Sequence, residues 1–415
     1  MKKFTILIIA AVIGLQAELL SLDTCIDKAL ATHPDVRTFM LKVQQQNEGV
    51  KMERGALLPK VSIYAEYDPR RTYVIPLNGE FNTIDSDGWS VGISASQKLY
   101  DFSKSSHSIQ SAKIRHEVSR LSLEEAKAFM RYRIRVAYAQ ILVQEAALNA
   151  RRKDLEAKKA LYEQARALVK QGLKTRADES RFLSSVRQAE DALALAQADY
   201  KKARITLEEY IGERITEDTR FEKWRLNGSE GQPENSDPDK VVANNLQIKI
   251  AQKSQEASYE SYRSKRVERF GSIDLVAEAS HFDTLSSYDS TVIGIRYSAP
   301  IYSGGRLSAQ AQQSRIEEMV SAEERESKKR SIDKEVRSLL ADLSEVQKRI
   351  DARLSQLHSA EETKSLIEAR YEQGLATYME VLDSEAVWLD AKLGLLNTYY
   401  TRLEQLYRLE YLNGK

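Results

Sequence analysis

Four short segments of the chain alternate apolar and polar residues, which is the period of a β-strand with one apolar face. The apolar residues all occupy odd positions: Val61, Ile63 and Ala65; Trp89, Val91, Ile93 and Ala95; Ile273, Leu275 and Ala277; and Ile293, Ile295 and Tyr297. Strands of about 9 to 11 residues with this pattern span a bilayer. We therefore predict four membrane strands per chain. A soluble sheet with one buried face is the alternative.

Most of the remaining chain lacks helix breakers. Residues 104–170 and 306–373 contain neither proline nor glycine, so each run predicts a helix of roughly 100 Å at 1.5 Å per residue. Shorter helices are predicted over Leu22–Leu57 and Pro238–Arg269. Apolar residues at alternating intervals of four and three predict left-handed coiled-coil packing near the C-terminus; they are Leu382, Ala386, Leu389, Leu393, Leu396, Tyr400, Leu403 and Tyr407.

The sequence also contains an internal duplication. Gln171-Gly172-Leu173-Lys174-Thr175 matches Gln373-Gly374-Leu375-Ala376-Thr377, 202 positions later, whereas Pro59-Lys60-Val61 matches Gly271-Ser272-Ile273 at 212 positions. The two offsets differ because the first copy is longer between Tyr67 and Gly92, where turn-forming residues predict a surface loop. We predict two structural repeats, residues 18–212 and 238–415, each with a helix, a β-hairpin and two long helices. A polar linker, residues 213–237, joins them.

Charge and composition narrow the functional classes. The 62 basic and 61 acidic residues nearly balance, and 42% of residues are hydrophobic, which argues against disorder and against electrostatic binding of nucleic acid. Lys2 and Lys3 precede an apolar run that ends at Ala17, so residues 1–17 are predicted to be a cleaved secretory signal. The single cysteine, Cys25, excludes a disulfide within the chain.

The strand count itself predicts association between chains. The smallest common membrane barrel has about eight strands. Four strands would leave open edges, and their backbone groups find no hydrogen-bond partner in lipid. Several chains are therefore expected to share one barrel.

No residue pattern points to catalysis. The five histidines are scattered, and no metal-ligand spacing stands out. Gly304 and Gly305 follow Tyr302 in a pattern that fits neither a nucleophile elbow nor a phosphate loop. They predict a flexible bend at a strand-to-helix junction. We expect no enzyme activity, no metal and no cofactor.

The element order and two motifs resemble the TolC-like outer-membrane efflux protein family over nearly the whole mature chain. The motifs are Tyr371-Glu372-Gln373-Gly374-Leu375-Ala376-Thr377, followed by Val381-Leu382-Asp383, and Pro300-Ile301-Tyr302-Ser303-Gly304-Gly305-Arg306. The resemblance implies a mainly α fold with a membrane β-barrel. Three chains would form a 12-stranded barrel in outer-membrane lipid, continued by an α-helical coiled-coil barrel in the periplasm.

The same resemblance implies a passive exit duct of a tripartite efflux or type I secretion system. Its partners would be a periplasmic adaptor and an inner-membrane transporter. Because the transporter selects the cargo, the sequence leaves open whether a drug, a metal ion or a polypeptide is exported. A periplasmic coiled-coil adaptor or scaffold is the alternative, although such proteins lack the duplicated strand pair.

Site residues follow from the matched motifs. Glu380 and Asp383 would form acidic rings at the tunnel entrance, with Asp178 and Arg181 as their counterparts in the first repeat. Arg181 and Tyr371 are expected to hold the closed state. The adaptor-docking tips would comprise Gly172, Leu173, Thr175, Gly374, Leu375 and Thr377. Solvated helix faces and simple helix caps are the alternatives. Ala376 replaces an arginine of the relatives, so the closing network must differ.

Overall fold

The computed structural model describes residues 19–77, 79–216, 218–223 and 237–415. The predicted signal, residues 1–17, and most of the predicted linker lie outside the described residues. The helices are α1 (Leu22–Thr32), α2 (Pro34–Gly55), α3 (Lys104–Lys170), α4 (Arg176–Ile211), α5 (Pro238–Asn244), α6 (Leu246–Val267), α7 (Arg306–Glu372) and α8 (Tyr378–Leu412). The strands are β1 (Leu19–Leu20), β2 (Lys60–Leu77), β3 (Glu80–Tyr100), β4 (Arg220–Phe221), β5 (Ser272–Asp283) and β6 (Ser287–Ser298).

The two longest helices match the runs without helix breakers. Helices α3 and α7 contain 67 residues each. Within the described ranges, no helix combines the length and the apolar character needed to cross a membrane.

Both shorter helices are broken, contrary to the prediction of continuous helices over Leu22–Leu57 and Pro238–Arg269. Helix α1 ends at His33, whose backbone is extended, because a residue before proline avoids the helical conformation. In the second segment, the Asn245 side chain accepts a hydrogen bond from the Ile248 backbone N–H at 3.2 Å and caps α6. A side-chain cap of this kind starts a new helix.

The chain divides into two compact units. The first comprises residues 19–37, 126–244 and 332–415 of the described part, and the second comprises residues 38–125 and 245–331. The second unit contains an antiparallel sheet of four strands in the order β2-β3-β5-β6. Strands β2 and β6 are therefore its two outer edges.

The sheet exposes its apolar face. Ile63, Ile293 and Ile295 are 78%, 76% and 72% exposed, so these residues are not the buried face of a soluble sheet. The opposite face is polar, and Tyr64 there donates a hydrogen bond to Glu278 at 2.8 Å. Exposed contiguous apolar surface of this kind marks a contact with lipid or protein.

The first hairpin is longer than predicted. Strands β2 and β3 have 18 and 21 residues, whereas β5 and β6 have 12 each. The predicted surface loop between Tyr67 and Gly92 is wrong for most of that segment, because pairing continues to Leu77 and Glu80. A bulge between Asp68 and Arg71 accommodates Pro69, which cannot donate to a regular ladder.

Helices in the second unit contact one another through small polar side chains. The Ser108 and Ser264 hydroxyls join α3 to α6 at 2.8 Å, and Ser111 donates to the Ala257 carbonyl at 2.8 Å. Small residues let helix backbones approach closely while their hydroxyls remain hydrogen-bonded.

In the first unit, Tyr138 of α3 lies at a buried hydrogen-bond centre. Its hydroxyl donates to the carbonyls of Leu20 and Glu222, at 2.9 and 3.1 Å. Strands β1 and β4 pair in parallel; Leu20 is the last residue of β1, and Glu222 directly follows β4. One side chain thereby connects α3 to both strands of this small sheet, at their C-terminal ends.

The predicted coiled-coil seam of α8 is only partly the buried face. Leu389 and Tyr407 are buried, but Ala386 is exposed and Leu393 is half-buried. Most other buried residues of α8 lie on the neighbouring face of that helix, and several of them are polar. They are Val381, Ser384, Glu385, Ala391, Leu395, Thr398, Arg402, Leu406 and Leu409. Periodicity alone did not distinguish these two faces.

Candidate functional site

The candidate site consists of two helix hairpins in the first unit, α3–α4 and α7–α8, each with a tight turn. Gly172 and Gly374 have φ values of 74° and 75°, in the left-handed region that favours glycine. The N–H of the following leucine donates to the carbonyl five residues earlier: Leu173 to Leu168 at 2.9 Å, and Leu375 to Arg370 at 2.8 Å. Both turns are therefore Schellman motifs.

A capping box begins the second helix of each hairpin. The Thr175 N–H donates to Asp178 at 3.1 Å, and the Asp178 N–H donates to the Thr175 hydroxyl at 3.3 Å. The equivalent distances for Thr377 and Glu380 are 2.6 and 3.4 Å. These reciprocal bonds satisfy N–H groups that a helix start otherwise leaves unpaired.

The capping boxes change the interpretation of the two acidic residues. The backbone N–H and hydroxyl of Thr175 lower the pKa of Asp178, and Thr377 lowers the pKa of Glu380 in the same way. Both carboxylates are thus held ionised against their own helix. The predicted acidic ring at Glu380 would be formed by a carboxylate that already has a structural role.

Asp383 differs from Glu380 although it lies one turn further along α8. It is exposed and forms no ion pair or side-chain hydrogen bond with another described residue. Its side chain borders a groove between α7 and α8 that Thr363, Ile367 and Val387 also line. Of the two predicted ring residues, Asp383 therefore has the free carboxylate.

An aromatic core lies behind the turns. Its buried members are Ala165, Phe182, Tyr371, Ala376, Tyr378 and Val381. The rings of Phe182 and Tyr378 meet edge-on at 5.6 Å, a favourable arrangement of aromatic quadrupoles. Tyr371, predicted as an entrance contact, is a core residue in this chain, and burial raises the pKa of its hydroxyl.

Two cations of the first hairpin cover two tyrosines of the second. The Lys174 ammonium lies 5.8 Å from the centre of the Tyr371 ring, and the Arg181 guanidinium lies 5.3 Å from that of Tyr378. Arg181 is one of the residues predicted to hold the closed state, and among the described residues its close partner is this ring. Lys174 was not among the predicted contacts, although the duplication aligns it with Ala376.

The turns expose leucine side chains. Leu173 is 67% exposed and Leu375 is 64% exposed. The hydrophobic contact that often accompanies a Schellman motif leaves most of each side chain in solvent. Each hairpin therefore presents one large apolar residue at its turn.

A buried charged cluster lies further along the hairpins and was also missed. Glu385 is 2% exposed, and its Oε1 atom lies 3.8 Å from the Lys364 ammonium. Its Oε2 atom has no hydrogen-bond partner among the described residues. Burial raises the pKa of Glu385, and Lys364 opposes this shift only in part. Nearby, Asp154 is buried and pairs with Lys158 at 3.1 Å.

The predicted strand-to-helix junction lies in the second unit. Gly304 and Gly305 have φ values of 61° and 79°, and Tyr302 is highly exposed. The same left-handed pair occurs after β3 at Phe102 and Ser103, with φ values of 54° and 70°. A left-handed residue other than glycine costs about 1–2 kcal/mol. Phe102 compensates by contacts with Tyr100 and Phe270, at ring distances of 5.0 and 5.4 Å.

Within residues 19–77, 79–216, 218–223 and 237–415, no group of three or more His, Cys, Asp or Glu side chains is placed to hold a metal ion.

The buried cluster generates a pH prediction. Because the folded-state pKa of Glu385 is raised, ionisation opposes folding once pH rises through that pKa, and the cost is absent below the ordinary glutamate range. Glu385→Gln should therefore raise the thermal unfolding midpoint at pH 8 and change it little at pH 4. Glutamine carries no charge to desolvate, so the gain at pH 8 should be about 1–3 kcal/mol, the usual cost of a poorly satisfied buried polar group.

Glu368 provides the matched control for that experiment. It contacts the same lysine at 3.5 Å but is more exposed, so Glu368→Gln should change the midpoint little at either pH. Equal shifts for both variants, measured by circular dichroism, would contradict the role of burial.

Comparison with known proteins places this geometry in a family. The model of the outer membrane efflux protein family matches residues 25–213 and 238–415. Outer membrane protein TolC of Escherichia coli strain K12 is 22% identical over 400 residues, covering 91% of this chain and 78% of that protein.

Two solved structures share the fold. The CmeC outer membrane channel of Campylobacter jejuni has a TM-score of 0.83 at 15% identity, covering 95% of this chain and 85% of that chain. The outer membrane protein VceC of Vibrio cholerae has a TM-score of 0.80 at 17% identity, covering 95% and 96%. The alternative of a periplasmic scaffold outside the membrane therefore fails. The chain belongs to the outer membrane efflux protein family, and it is an outer-membrane exit duct.

Proposed function

We propose that three copies of the chain form one passive channel, with a twelve-stranded barrel in the outer membrane and a periplasmic tunnel of helices. The observation that most directly supports this proposal is the open four-stranded sheet. Its edges are β2 and β6, and its apolar face is exposed. In lipid, each unpaired backbone group at an edge costs several kcal/mol. Closure with further copies of the same sheet removes every edge.

Two structural repeats, residues 18–212 and 238–415 with residues 213–237 between them, are part of this proposal. Three features support them: the two Schellman turns, the two capping boxes and the equal lengths of α3 and α7. The family model also matches the chain in two segments. Each repeat would supply one β-hairpin and one helix hairpin, so three chains would give six of each.

The transport cycle we propose requires no catalytic residue. An inner-membrane transporter would supply energy and select cargo, and a periplasmic adaptor would connect it to the channel. Leu173 and Leu375 are the adaptor contacts, because an exposed leucine beside a rigid glycine turn can be buried in a partner with little loss of backbone entropy. The six turns of a trimer would present six such leucines.

We further propose that Lys174 and Arg181 hold the entrance closed. Both cations belong to the first hairpin, and both rings belong to the second, so separating the hairpins breaks both contacts. Buried Ala376 leaves the Tyr371 ring accessible to Lys174. Asp383, with a free carboxylate, is the residue that would favour cations at the entrance.

Assembly is tested by native mass measurement in mild detergent. The purified chain should be a trimer, because both sheet edges must be paired. A monomer or dimer would contradict the proposed channel.

Docking is tested by the double variant Leu173→Asp and Leu375→Asp. Export should be lost while the trimer and its outer-membrane fractionation remain, because both side chains lie outside the hairpin core. Leu173→Met with Leu375→Met is the matched control and should retain export. Export by the aspartate variant, measured in a strain lacking the wild-type gene, would exclude the turns as the docking surface.

Closure is tested by planar-bilayer recordings. Lys174→Gln and Arg181→Gln should each raise resting conductance, because an exposed cation–π contact contributes about 0.5–1 kcal/mol, which corresponds to roughly a 2- to 5-fold change in the closed fraction. Lys174→Arg should keep the closed state. Arg176→Gln removes a charge between the two sites without removing either ring contact, and it should leave conductance unchanged.

Asp383 and Glu380 provide a second comparison in the same recordings. Asp383→Asn should lower cation preference without raising resting conductance. Glu380→Ala should instead weaken the cap of α8, because it removes the side chain that accepts the Thr377 N–H. Unchanged selectivity in Asp383→Asn would make that residue part of a solvated helix face.

A further inference from the structure

We propose that β6 of one chain pairs with β2 of the next in a single register that places Arg296 opposite Glu66 of the next chain. This inference rests on the proposed trimer and specifies how its barrel closes. The observed sheet is the template for this contact between chains.

The two hairpins of the sheet have the same internal register. Lys60 pairs with Ser96 in the first hairpin, and Ser272 pairs with Ser298 in the second. Ser272 is 212 positions after Lys60, and Ser298 is 202 positions after Ser96. Strand β5 therefore corresponds to β2 up to Tyr67, and β6 corresponds to β3.

This correspondence makes the β3–β5 contact the template for β6 and the next β2. In that contact, Ser94 pairs with Glu278. Arg296 is 202 positions after Ser94, and Glu66 is 212 positions before Glu278. The neighbouring pair Ala95 and Ala277 likewise becomes Tyr297 and Ala65. The strand directions are also compatible. Adjacent strands of the sheet run in opposite directions, so β6 would pair with β2 of the next chain in antiparallel orientation.

The side chains at these positions are complementary. Glu66 and Arg296 are both exposed, and neither forms an ion pair with another residue in the described part of the chain. Both occupy even positions, on the polar face that would line the lumen. Opposite charges placed directly across two strands stabilise the pairing, whereas like charges destabilise it.

A compensating difference between the hairpins supports the same pair. In the template, Tyr64 extends across Gly92 and donates to Glu278 at 2.8 Å. The residue that corresponds to Tyr64 in the second hairpin is Val276, whose side chain has no hydrogen-bond donor. The glutamate that corresponds to Glu278 is Glu66 of the next chain, and Arg296 supplies the donor that Val276 lacks.

The base of the sheet is consistent with this closure. Phe102 and Phe270 pack together below the β3–β5 contact. Their counterparts below β6 and the next β2 are Gly304 and Leu58. Leu58 is 61% exposed within one chain. The proposed register would cover Leu58 with the Gly304 junction of the neighbouring chain.

Cysteine cross-linking tests the register in the full chain. In a Cys25→Ser background, which removes the single native thiol, Glu66→Cys with Arg296→Cys should give covalent trimers on non-reducing gels. Ser94→Cys with Glu278→Cys is the matched control, because the same geometry lies within one chain and should oxidise without forming oligomers. Glu66→Cys with Gly294→Cys shifts the pair by two residues, beyond the roughly 7 Å over which a disulfide forms.

Charge reversal tests the ion pair with side chains that retain charge. Glu66→Arg and Arg296→Glu should each lower the temperature at which the trimer dissociates in SDS, and the double reversal should restore most of that loss. A trimer that cross-links only through the shifted pair, or a double reversal without recovery, overturns the register alone. Absence of a trimer by native mass overturns the proposed channel as well.

Discussion

Backbone hydrogen bonding at the edges of the sheet is the constraint on which the rest of the molecule depends. Four strands form a regular antiparallel ladder, but β2 and β6 each retain one unpaired side. Lipid supplies no partner for those groups. Because the apolar face is also exposed, the single chain is an incomplete membrane structure. The trimer that we propose would pair both edges, and the chain belongs to the outer membrane efflux protein family.

The helix hairpins meet a different requirement at their turns. Each turn needs a left-handed glycine to end one helix and a capping box to begin the next. Asp178 and Glu380 therefore hold their helix starts in place, and they cannot act simply as free charges. Contacts between the hairpins are made by the shared aromatic core and by Lys174 and Arg181, which lie over buried tyrosine rings of that core. In the closure that we propose, cations over rings suit an entrance that must open, since each contact is weak.

The duplication was visible in the sequence because its turn motifs are short and specific. The gap in the first predicted helix could also have been found, since Pro34 disfavours a helical conformation at His33. The longer first hairpin was harder to predict. A bulge lets its strands contain turn-forming residues. Where the loop begins is therefore determined only by pairing with the opposite strand.

The sequence by itself determined the features that depend on neighbouring residues: strand period, the extent of the two longest helices, glycine turns and capping boxes. The tertiary structure decided which face of α8 is buried, that Glu385 lies in the core, and that Arg181 and Lys174 contact rings rather than carboxylates. Local hydrogen bonds and backbone sterics act within about five residues and leave a pattern in the sequence. Burial and ring contacts join residues about 200 positions apart here, so helix packing alone selects them.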